Sequence, residues 1–445
     1  MEETIELSPI DQVMPRAYVR WNLHFTPPVQ NSALAAAQLE KSFQQLLREI
    51  AILGSFKRQC EDSKLELKVV PQHPNYRFHI RDFANEANVA AEDLVPFPAA
   101  PTGTADAPVF AAQANIVRDG VILCFCMSHA VADAIGMTTI LDRWSKIRRN
   151  VTDGTTFEPL PKEAFDCSPL RDGGIRNDAM MTKCEEALKA RATDVLPLGG
   201  TVPNLPVKIF SLNTKRIADL KRDITNQINE TWHTGGWVST HDVMCAVIWH
   251  SWARAFSHGQ ELTDDADSRL LLAVNMRSKM KPPLPAEYIG NVNLHPAINR
   301  KIIDLVSDST AELALTALAI RKGIISIDDA HTRGLIRLIN NSGPNLPKLM
   351  NCAEDFEVFR DSDFDITSWL DLGFEDMNWG SALGLVQKMR KVVLPGVGYG
   401  CRCALMPRTQ SGEVEVMIGL KGEYMGRLVL DSLFRRYAEL SEILN

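Results

Sequence analysis

One histidine and one aspartate lie four residues apart in "VILCFCMSHAVADAIGM" (121–137), where they are His129 and Asp133. An imidazole with a pKa near neutral can take a proton from a hydroxyl or an amine, so His129 is a candidate general base. If the chain is helical from His129 onwards, Asp133 shares its helix face and the two residues form a dyad. If it is not, Asp133 needs another partner, and a basic residue elsewhere is the natural one. The structural alternative is a packed, hydrogen-bonded histidine at an ordinary strand-to-helix corner.

The elements around His129 are a strand and a following helix. The segment "GVILCFCMS" (120–128) has the length and apolar content of a buried strand, and "DAIGMTTILDRWSKIRR" (133–149) has helical spacing. His129 therefore stands at the carboxyl end of a strand, where ligands commonly bind in open α/β sheets. The rest of the first half indicates mixed helix and strand, with a helix over 32–52 capped by Ser32 and strands in "KLELKVV" and "YRFHIRDF".

A change of composition separates two halves of the chain. Residues 151–206 are rich in proline and glycine, with one helical segment at 178–192, and they predict a long crossover connection. The second half restarts with the strand "VKIFSLN" and a helix from Thr214. A glycine pair (235–236) and a helix over 241–256 follow, and Ser239 and Asp242 are spaced like a capping box.

Composition and charge argue against several classes of protein. The 445 residues predict two or three domains, and a net charge of -7 does not fit a nucleic-acid-binding surface. No run approaches the roughly 18 apolar residues that span a bilayer, and the termini carry no secretory, retention or prenylation signal. The nine cysteines indicate reduced thiols, so we expect a cytoplasmic protein. Without C-x-x-C or H-E-x-x-H we expect no metal site.

Other common catalytic patterns are missing from the sequence. It contains no G-x-S-x-G elbow, no Walker loop and no G-x-G-x-x-G. The glycines of "GVGYG" (396–400) have the wrong spacing for a phosphate loop, so we interpret them as a turn between strands.

Three further segments identify a family. Residues 7–25 read "LSPIDQVMPRAYVRWNLHF", residues 274–294 read "VNMRSKMKPPLPAEYIGNVNL", and residues 366–384 read "ITSWLDLGFEDMNWGSALG". Together with "SHAVADA" they resemble the BAHD family of acyl-CoA-dependent acyltransferases, whose signatures are H-x-x-x-D-G, V-D-x-R-x-R…P-P-L-P…Y-x-G-N and S-W…D-F-G-W-G. The order matches, and the resemblance covers nearly the whole chain. It is nearest to the fungal branch that includes trichothecene 3-O-acetyltransferase.

The resemblance implies a role for each matched residue. His129 matches the general base, which activates the acceptor for direct attack on the acyl-CoA thioester without an acyl-enzyme. Asp133 matches a structural aspartate that points away from substrate and pairs with the arginine matched by Arg277. Thr367 and Trp369 match positions near the reacting carbonyl, where a hydroxyl and an indole N–H can stabilise an oxyanion.

The third motif carries structural residues. Asp376, Trp379 and Gly380 match its D, W and G, which support the fold and the CoA site in the family. Five positions depart from the family pattern: Ala134, Asn275, Lys279, Met377 and Asn378. Because His129, Asp133 and Arg277 are kept, these departures bear on the subfamily and on local packing more than on activity.

The CoA phosphates need hydrogen-bond donors or cations. Candidates are the helix start at Ser239 and Thr240 and the basic run that contains Lys388, Arg390 and Lys391, although that run also fits a solvated surface.

The resemblance implies a monomeric α/β protein with two chloramphenicol-acetyltransferase-like domains, 1–160 and 207–445, joined by a linker at 161–206. Each domain should have a mixed β-sheet flanked by helices, with the active-site channel at the interface. The expected reaction is O-acylation, favouring acetyl-CoA as co-substrate, of a small secondary metabolite such as a terpenoid, polyketide or alkaloid. The alternatives are N-acylation of an amine, a stand-alone condensation-type domain that uses a carrier-protein thioester, and a non-catalytic binding protein. No nucleic acid, membrane or permanently bound cofactor is expected.

Overall fold

The structure is a computed structural model, and it describes residues 3–26, 31–60, 64–69, 77–97, 107–174, 205–232, 236–261, 263, 265–343, 346, 361–394, 403–409 and 411–444. Two predicted features lie outside this part of the chain: the helix at 178–192, together with most of the proline-rich linker, and the turn at 396–400.

Strands from both halves of the chain form mixed β-sheets. In chain order the described strands are β1 (Glu3–Ile5), β2 (Tyr18–Phe25), β3 (Ser55–Gln59), β4 (Leu65–Val69), β5 (Phe78–Asp82), β6 (Ala107–Pro108), β7 (Phe110–Val117), β8 (Gly120–Ser128), β9 (Val207–Leu212), β10 (Asp267–Leu272), β11 (Val274–Asn275), β12 (Asn293–Leu294), β13 (Ala297–Lys301), β14 (Phe364–Ser368), β15 (Lys388–Lys391), β16 (Cys403–Leu405), β17 (Val414–Gly419) and β18 (Ala438–Leu444). Among these residues, one sheet has the order β15-β2-β8-β7-β5 and another has the order β13-β10-β14-β16-β17-β9-β18. The strands β1-β4-β3-β6 and β11-β12 form two smaller sheets.

Helices flank these sheets. The described helices are α1 (Pro9–Val13), α2 (Ser32–Glu49), α3 (Ala134–Asp153), α4 (Thr214–Trp232), α5 (Thr240–Ser257), α6 (Ile302–Leu305), α7 (Thr310–Ser326), α8 (Asp329–Asn341), α9 (Gly422–Leu430) and α10 (Ser432–Tyr437). None of them is long and apolar enough to cross a lipid bilayer.

Most of the predicted elements are confirmed, with one wrong cap. Ser32 is the first residue of α2 rather than its cap, because Asn31 occupies the cap position and makes no side-chain hydrogen bond there. The predicted capping box of α5 is present: the Ser239 hydroxyl accepts from the Asp242 N–H, and the Asp242 carboxylate accepts from the Ser239 N–H. The strand that leads to His129 and the helix that follows it are β8 and α3.

The edge strand β15 connects the two halves of the chain. It pairs antiparallel with β2, so that Lys391 lies opposite Trp21 and Arg390 opposite Asn22. The hydrophobic core of the first half accordingly includes second-half residues such as Trp369 and Trp379. The division into domains at 160 and 207 remains a prediction.

Candidate active site

His129 lies in the turn between β8 and α3, and two distant segments hold its backbone. Its N–H donates to the carbonyl of Ala17 at 2.9 Å, just before β2. Its carbonyl accepts from the Asn291 side-chain amide at 3.0 Å. Because these partners lie far from His129 in the sequence, the corner is fixed by the tertiary fold rather than by the local chain.

The imidazole of His129 is held as a neutral base. The side chain is partly exposed, whereas its Nδ1 is buried and has no hydrogen-bond partner among the described residues. Burial lowers the pKa of His129 and is the largest influence on it. The His129 backbone, Asp133 and Asn291 oppose this shift, and Lys391 adds to it. A neutral imidazole at neutral pH is the form that can accept a proton.

Asp133 does not form a dyad with His129, so that alternative is wrong. Helix α3 begins at Ala134, and Asp133 is its N-cap, accepting from the Gly136 N–H at 2.9 Å. Arg277 donates to both carboxylate oxygens of Asp133, at 2.9 and 2.8 Å. The Asp133 and Arg277 side chains are 8% and 3% exposed, so this is a buried bidentate ion pair. The pairing is the one that the family resemblance implied.

Arg277 also holds the segment that follows the proline-rich motif. Its guanidinium donates to the carbonyls of Tyr288 at 2.7 Å and of Gly290 at 3.0 Å, while the Val292 N–H donates to Asp133 at 3.1 Å. Gly136 is needed where α3 meets this segment, because a Cβ there would lie 1.8 Å from the carbonyl oxygen of Ile289.

Two departures from the family pattern keep a hydrogen-bonding role. Asn275, which replaces an aspartate, accepts from the backbone N–H and from Nη1 of Arg277 at 3.1 and 3.2 Å. Lys279, which replaces an arginine, donates to the carbonyls of Ile324 and Ile327. Neither change therefore removes support from the ion pair.

Asp11 supports the corner at His129 by holding Asn291, and sequence reasoning missed this contact. It accepts from the backbone N–H and the side-chain amide of Asn291 at 2.9 and 2.7 Å, and it forms a capping box with Ser8. Burial raises the pKa of Asp11 to about 6, partly opposed by these hydrogen bonds. The motifs around Asp11 and Asn291 were recognised from the sequence, but nothing local predicted that they meet beneath His129.

Trp369 lies close to Lys391, which in turn acts electrostatically on His129. Trp369 packs edge-to-face on Trp21, with ring centroids 5.6 Å apart, and its backbone N–H donates to Leu405 at 2.8 Å. The Lys391 ammonium lies 6.0 Å from the Trp369 ring centroid and is close enough to His129 to lower its pKa. Thr367 is half-buried near the end of β14. The predicted oxyanion role of Thr367 and Trp369 remains a prediction.

His295 is a second imidazole of the site that sequence reasoning missed. It follows β12 and is partly exposed. The distance between its Nε2 and the amide nitrogen of Asn293 is 3.4 Å. Burial, and to a smaller extent the neighbouring His129, lower the pKa of His295 to about 4. His295 is therefore neutral at neutral pH and offers a hydrogen-bonding group beside the candidate base.

The third motif forms part of the core. Trp379 is fully buried and packs on Phe25 and Trp144, with ring centroids 5.6 and 5.4 Å away. Gly380 has a φ of +87°, and a Cβ there would lie 2.7 Å from a carboxylate oxygen of Asp153. Asp376 is exposed in a short turn. The contacts of Trp379 and Gly380 support a structural role, and the role of Asp376 remains a prediction.

The residues predicted to bind CoA already have partners. Lys388 pairs with Glu442 at 2.9 Å, and Arg390 pairs with Glu415 through two hydrogen bonds of 2.6 and 2.9 Å. Ser239 is engaged in its capping box, whereas Thr240 is exposed. A phosphate would have to compete with these carboxylates, and the assignment of Ser239, Thr240, Lys388 and Arg390 to CoA remains a prediction.

Comparison with known proteins decides the family. The sequence profile of the transferase family matches residues 1–432. The chain belongs to the transferase family. This membership confirms the predicted BAHD relationship and the predicted class of enzyme, an acyltransferase.

Relatives are similar over their full lengths. The chain is 24% identical to the O-acetyltransferase ptmV of Penicillium ochrochloron, covering 98% of this chain and 96% of the relative. It is 22% identical to the eremophilane O-acetyltransferase ORF8 of Penicillium roqueforti, covering 98% and 99%. Among solved structures, F. graminearum TRI101 complexed with coenzyme A and T-2 mycotoxin has a TM-score of 0.77 at 19% identity, covering 98% and 99%. Vinorine synthase has a TM-score of 0.66 at 19% identity, covering 97% and 93%. These likenesses confirm the predicted fold.

Proposed function

We propose that this transferase moves an acyl group from acyl-CoA, preferably acetyl-CoA, to a hydroxyl group of a small secondary metabolite. The observation that carries the proposal is the placement of His129. Its backbone is fixed from both halves of the chain, its ring is partly exposed, and burial lowers its pKa so that it is a neutral base.

The reaction needs one proton acceptor and one site for an oxyanion. His129 takes the proton of the acceptor hydroxyl as its oxygen forms a bond to the thioester carbonyl carbon. The hydroxyl of Thr367 and the indole N–H of Trp369 stabilise the negative charge on the carbonyl oxygen, and Lys391 adds positive charge beside Trp369. The carbon–sulfur bond then breaks, and the imidazolium returns the proton to the CoA thiolate.

The acceptor class rests on the relatives. Several are O-acetyltransferases by name, and one acts on an eremophilane. We extend this to the chain as O-acylation of a terpenoid, polyketide or alkaloid. A cytoplasmic location is part of the proposal, because Cys124, Cys126, Cys167 and Cys245 are free thiols, as in a reducing compartment.

Binding of the donor is tested first, because it needs no known acceptor. Calorimetry with acetyl-CoA and longer acyl-CoAs is run on the wild type, on His129→Ala and on His258→Ala, a control at an exposed histidine beyond α5. We expect all three proteins to bind, since His129 acts in the chemistry and not in holding the donor. Failure of the folded wild type to bind any acyl-CoA would contradict the donor and favour a carrier-protein thioester or a binding protein.

Transfer is then measured as release of free CoA thiol with panels of alcohols and amines. We expect turnover with alcohols, a loss of about 10²- to 10⁴-fold in His129→Ala and no loss in His258→Ala. Turnover with amines alone would make the enzyme an N-acyltransferase that uses the same base. Full activity in His129→Ala would remove the general base from the mechanism.

A further inference from the structure

The side-chain amide of Asn291 contacts both His129 and Asp11. Its Nδ2 donates to the Asp11 carboxylate at 2.7 Å and to the His129 carbonyl at 3.0 Å. The backbone N–H of Asn291 donates to the same Asp11 oxygen at 2.9 Å. Asn291 is fully buried and Asp11 is 3% exposed, so water does not compete for these hydrogen bonds.

These partners determine which end of the Asn291 amide faces them. The ionised carboxylate of Asp11 and the carbonyl of His129 can only accept hydrogen bonds, so the end that faces both must be the NH₂ group. The opposite end is therefore the amide oxygen Oδ1. This oxygen is buried and has no hydrogen-bond partner among the described residues.

The oxygen of Asn291 is the end of the amide that faces the His129 ring. Burial, the largest influence, lowers the pKa of His129, whereas the His129 backbone, Asp133 and the Asn291 side chain raise it. A nearby acceptor favours the protonated imidazole and raises its pKa, whereas an amide N–H group would lower it. The sign of the effect therefore assigns Oδ1 to the ring side of the amide.

The ring nitrogen on the inner side of His129 needs such an acceptor. Nδ1 is buried and has no hydrogen-bond partner in the described part of the chain, while the side chain as a whole is partly exposed. Nε2 is thus the nitrogen that a substrate can reach. Hydrogen bonds of catalytic groups are often long or poorly aligned in an unliganded enzyme and shorten with substrate. A proton on Nδ1 that is held by Asn291 leaves Nε2 unprotonated, as a general base requires.

Position 11 requires a carboxylate rather than an amide. One oxygen of Asp11 accepts from the backbone N–H and the hydroxyl of Ser8, at 3.0 and 2.7 Å, and the other accepts from Asn291. An amide at position 11 would turn its NH₂ group towards one of these two sets of donors. If that group faced Asn291, the Asn291 amide could turn over to accept from it. An N–H group would then face Nδ1 of His129 and favour a proton on Nε2.

We propose that Asp11 and Asn291 are positioning residues that keep the proton of His129 on Nδ1 and leave Nε2 free as the base. Asp11 fixes the direction of the Asn291 amide, and Asn291 holds both the carbonyl and the ring of His129. This inference rests on the proposed function, because it takes His129 as the base.

Nuclear magnetic resonance on protein with isotopically labelled histidine tests the proposal. The chemical shift of each ring nitrogen reports whether it carries the proton, and the signals of His129 are identified by their loss in His129→Ala. The spectra are recorded at mildly alkaline pH, where the ring is neutral. The variants are Asp11→Asn and Asn291→Leu, which replaces the amide by an apolar group of similar volume.

Asp431→Asn is the matched control. Asp431 is also a largely buried helix cap, since its side chain is 8% exposed and accepts from the backbone N–H of Phe434 at the start of α10. Its other oxygen accepts from Arg254 at 2.7 Å. The change therefore disturbs a buried carboxylate of the second half and leaves the contacts of His129 intact.

We expect one tautomer, with the proton on Nδ1, in the wild type and in Asp431→Asn. Asn291→Leu and Asp11→Asn should each show a share of His129 with the proton on Nε2. In the thiol-release assay, kcat should fall by about 10²-fold in Asn291→Leu and by about 10-fold in Asp11→Asn, against about 10⁴-fold for a histidine base held fully in the wrong tautomer. The KM for acetyl-CoA should stay the same in both, and kcat should stay the same in Asp431→Asn.

Several results would overturn the proposal. One is a wild-type His129 with its proton on Nε2. Another is an unchanged tautomer and full kcat in Asn291→Leu, which would mean that the His129 carbonyl alone holds the ring. If Asp11→Asn unfolds at a lower temperature but keeps both the tautomer and kcat, Asp11 is merely structural and its assigned role is wrong.

The tautomer is measured without donor or acceptor, which separates this inference from the proposed function. If no acceptor turns over, the proposed function fails, and the spectra of the wild type, Asp11→Asn and Asn291→Leu still decide where the proton lies. If kcat falls in both variants while the proton stays on Nδ1, the proposed function stands and the role in placing the proton is wrong.

Discussion

Replacing Arg277 by alanine tests whether the buried ion pair aims His129. The change removes both hydrogen bonds to Asp133 and those to the carbonyls of Tyr288 and Gly290. Leaving one partner of a buried ion pair without its countercharge costs about 3–5 kcal/mol. Asp133 keeps the backbone N–H groups of Gly136 and Val292 as donors. We therefore expect the free energy of unfolding to fall by about 3 kcal/mol, the lower end of this range.

The catalytic effect should be separate from the loss of stability. The segment that Arg277 holds contains Asn291, whose amide supports the His129 carbonyl. Because a misplacement of about 1 Å can cost about 10²-fold in rate, we expect kcat of the folded Arg277→Ala protein to fall by about 10- to 100-fold. The KM for acetyl-CoA should change little, since the pair faces the corner of the base rather than a bound donor.

A second buried ion pair supplies the matched control. Arg269 of β10 pairs with Asp363 at 2.6 Å, and both side chains are almost fully buried. Arg269→Ala should therefore lose a similar free energy of unfolding, measured by chemical denaturation, while keeping its kcat in the thiol-release assay. The double variant Asp133→Ala/Arg277→Ala should be more stable than the sum of the single changes predicts, because no unpaired charge remains. A folded Arg277→Ala enzyme with wild-type kcat, or an equal loss of kcat in Arg269→Ala, would refute the positioning role.

Three other predictions concern groups near the reacting atoms. Because burial lowers the pKa of His129, kcat/KM should stay level as the pH falls to about 6.5 and should decline only below that pH. A decline centred above pH 6.5 would contradict a neutral buried base. Thr367→Val and Trp369→Phe should each lower kcat by about 10²- to 10³-fold with acetyl-CoA binding retained in calorimetry, and unchanged kcat in both would remove them from the oxyanion site. His295→Asn should lower kcat/KM by about 10-fold, the value of one lost hydrogen bond. The pH at which kcat/KM declines should not change, because the pKa of His295 is about 4. A change in that pH would show that His295 is the titrating base.

Local patterns predicted the elements around the site. The apolar run 120–128 and the helical spacing after Asp133 are properties of the adjacent chain, and they became β8 and α3. The capping box at Ser239 and Asp242 was equally local. Ser32 failed as a cap because a serine at the start of a helical pattern fits either the cap or the first turn, and only the backbone geometry distinguishes them.

Contacts between distant segments could not be predicted from such patterns. Asp133 has one local partner, the Gly136 N–H, and two distant ones, Arg277 and the Val292 N–H, which lie 144 and 159 residues away. Only the family resemblance pointed to Arg277. His295 carries no motif, and its proximity to His129 depends on how β12 returns to the site.

Strand β15 explains why the basic run around Lys391 was difficult to interpret. From the sequence alone, the run fits either a solvated surface or a phosphate site, because nothing in the pattern distinguishes Lys388, Arg390 and Lys391 from one another. Pairing with β2 makes them different: Arg390 meets Glu415, whereas Lys391 on the other face of the strand lies beside Trp369 and His129. Strand β15 of the second half thus adds the positive charge of Lys391 to the first-half sheet, and this charge helps to keep His129 neutral. The candidate base is therefore complete only when both halves of the chain are folded together.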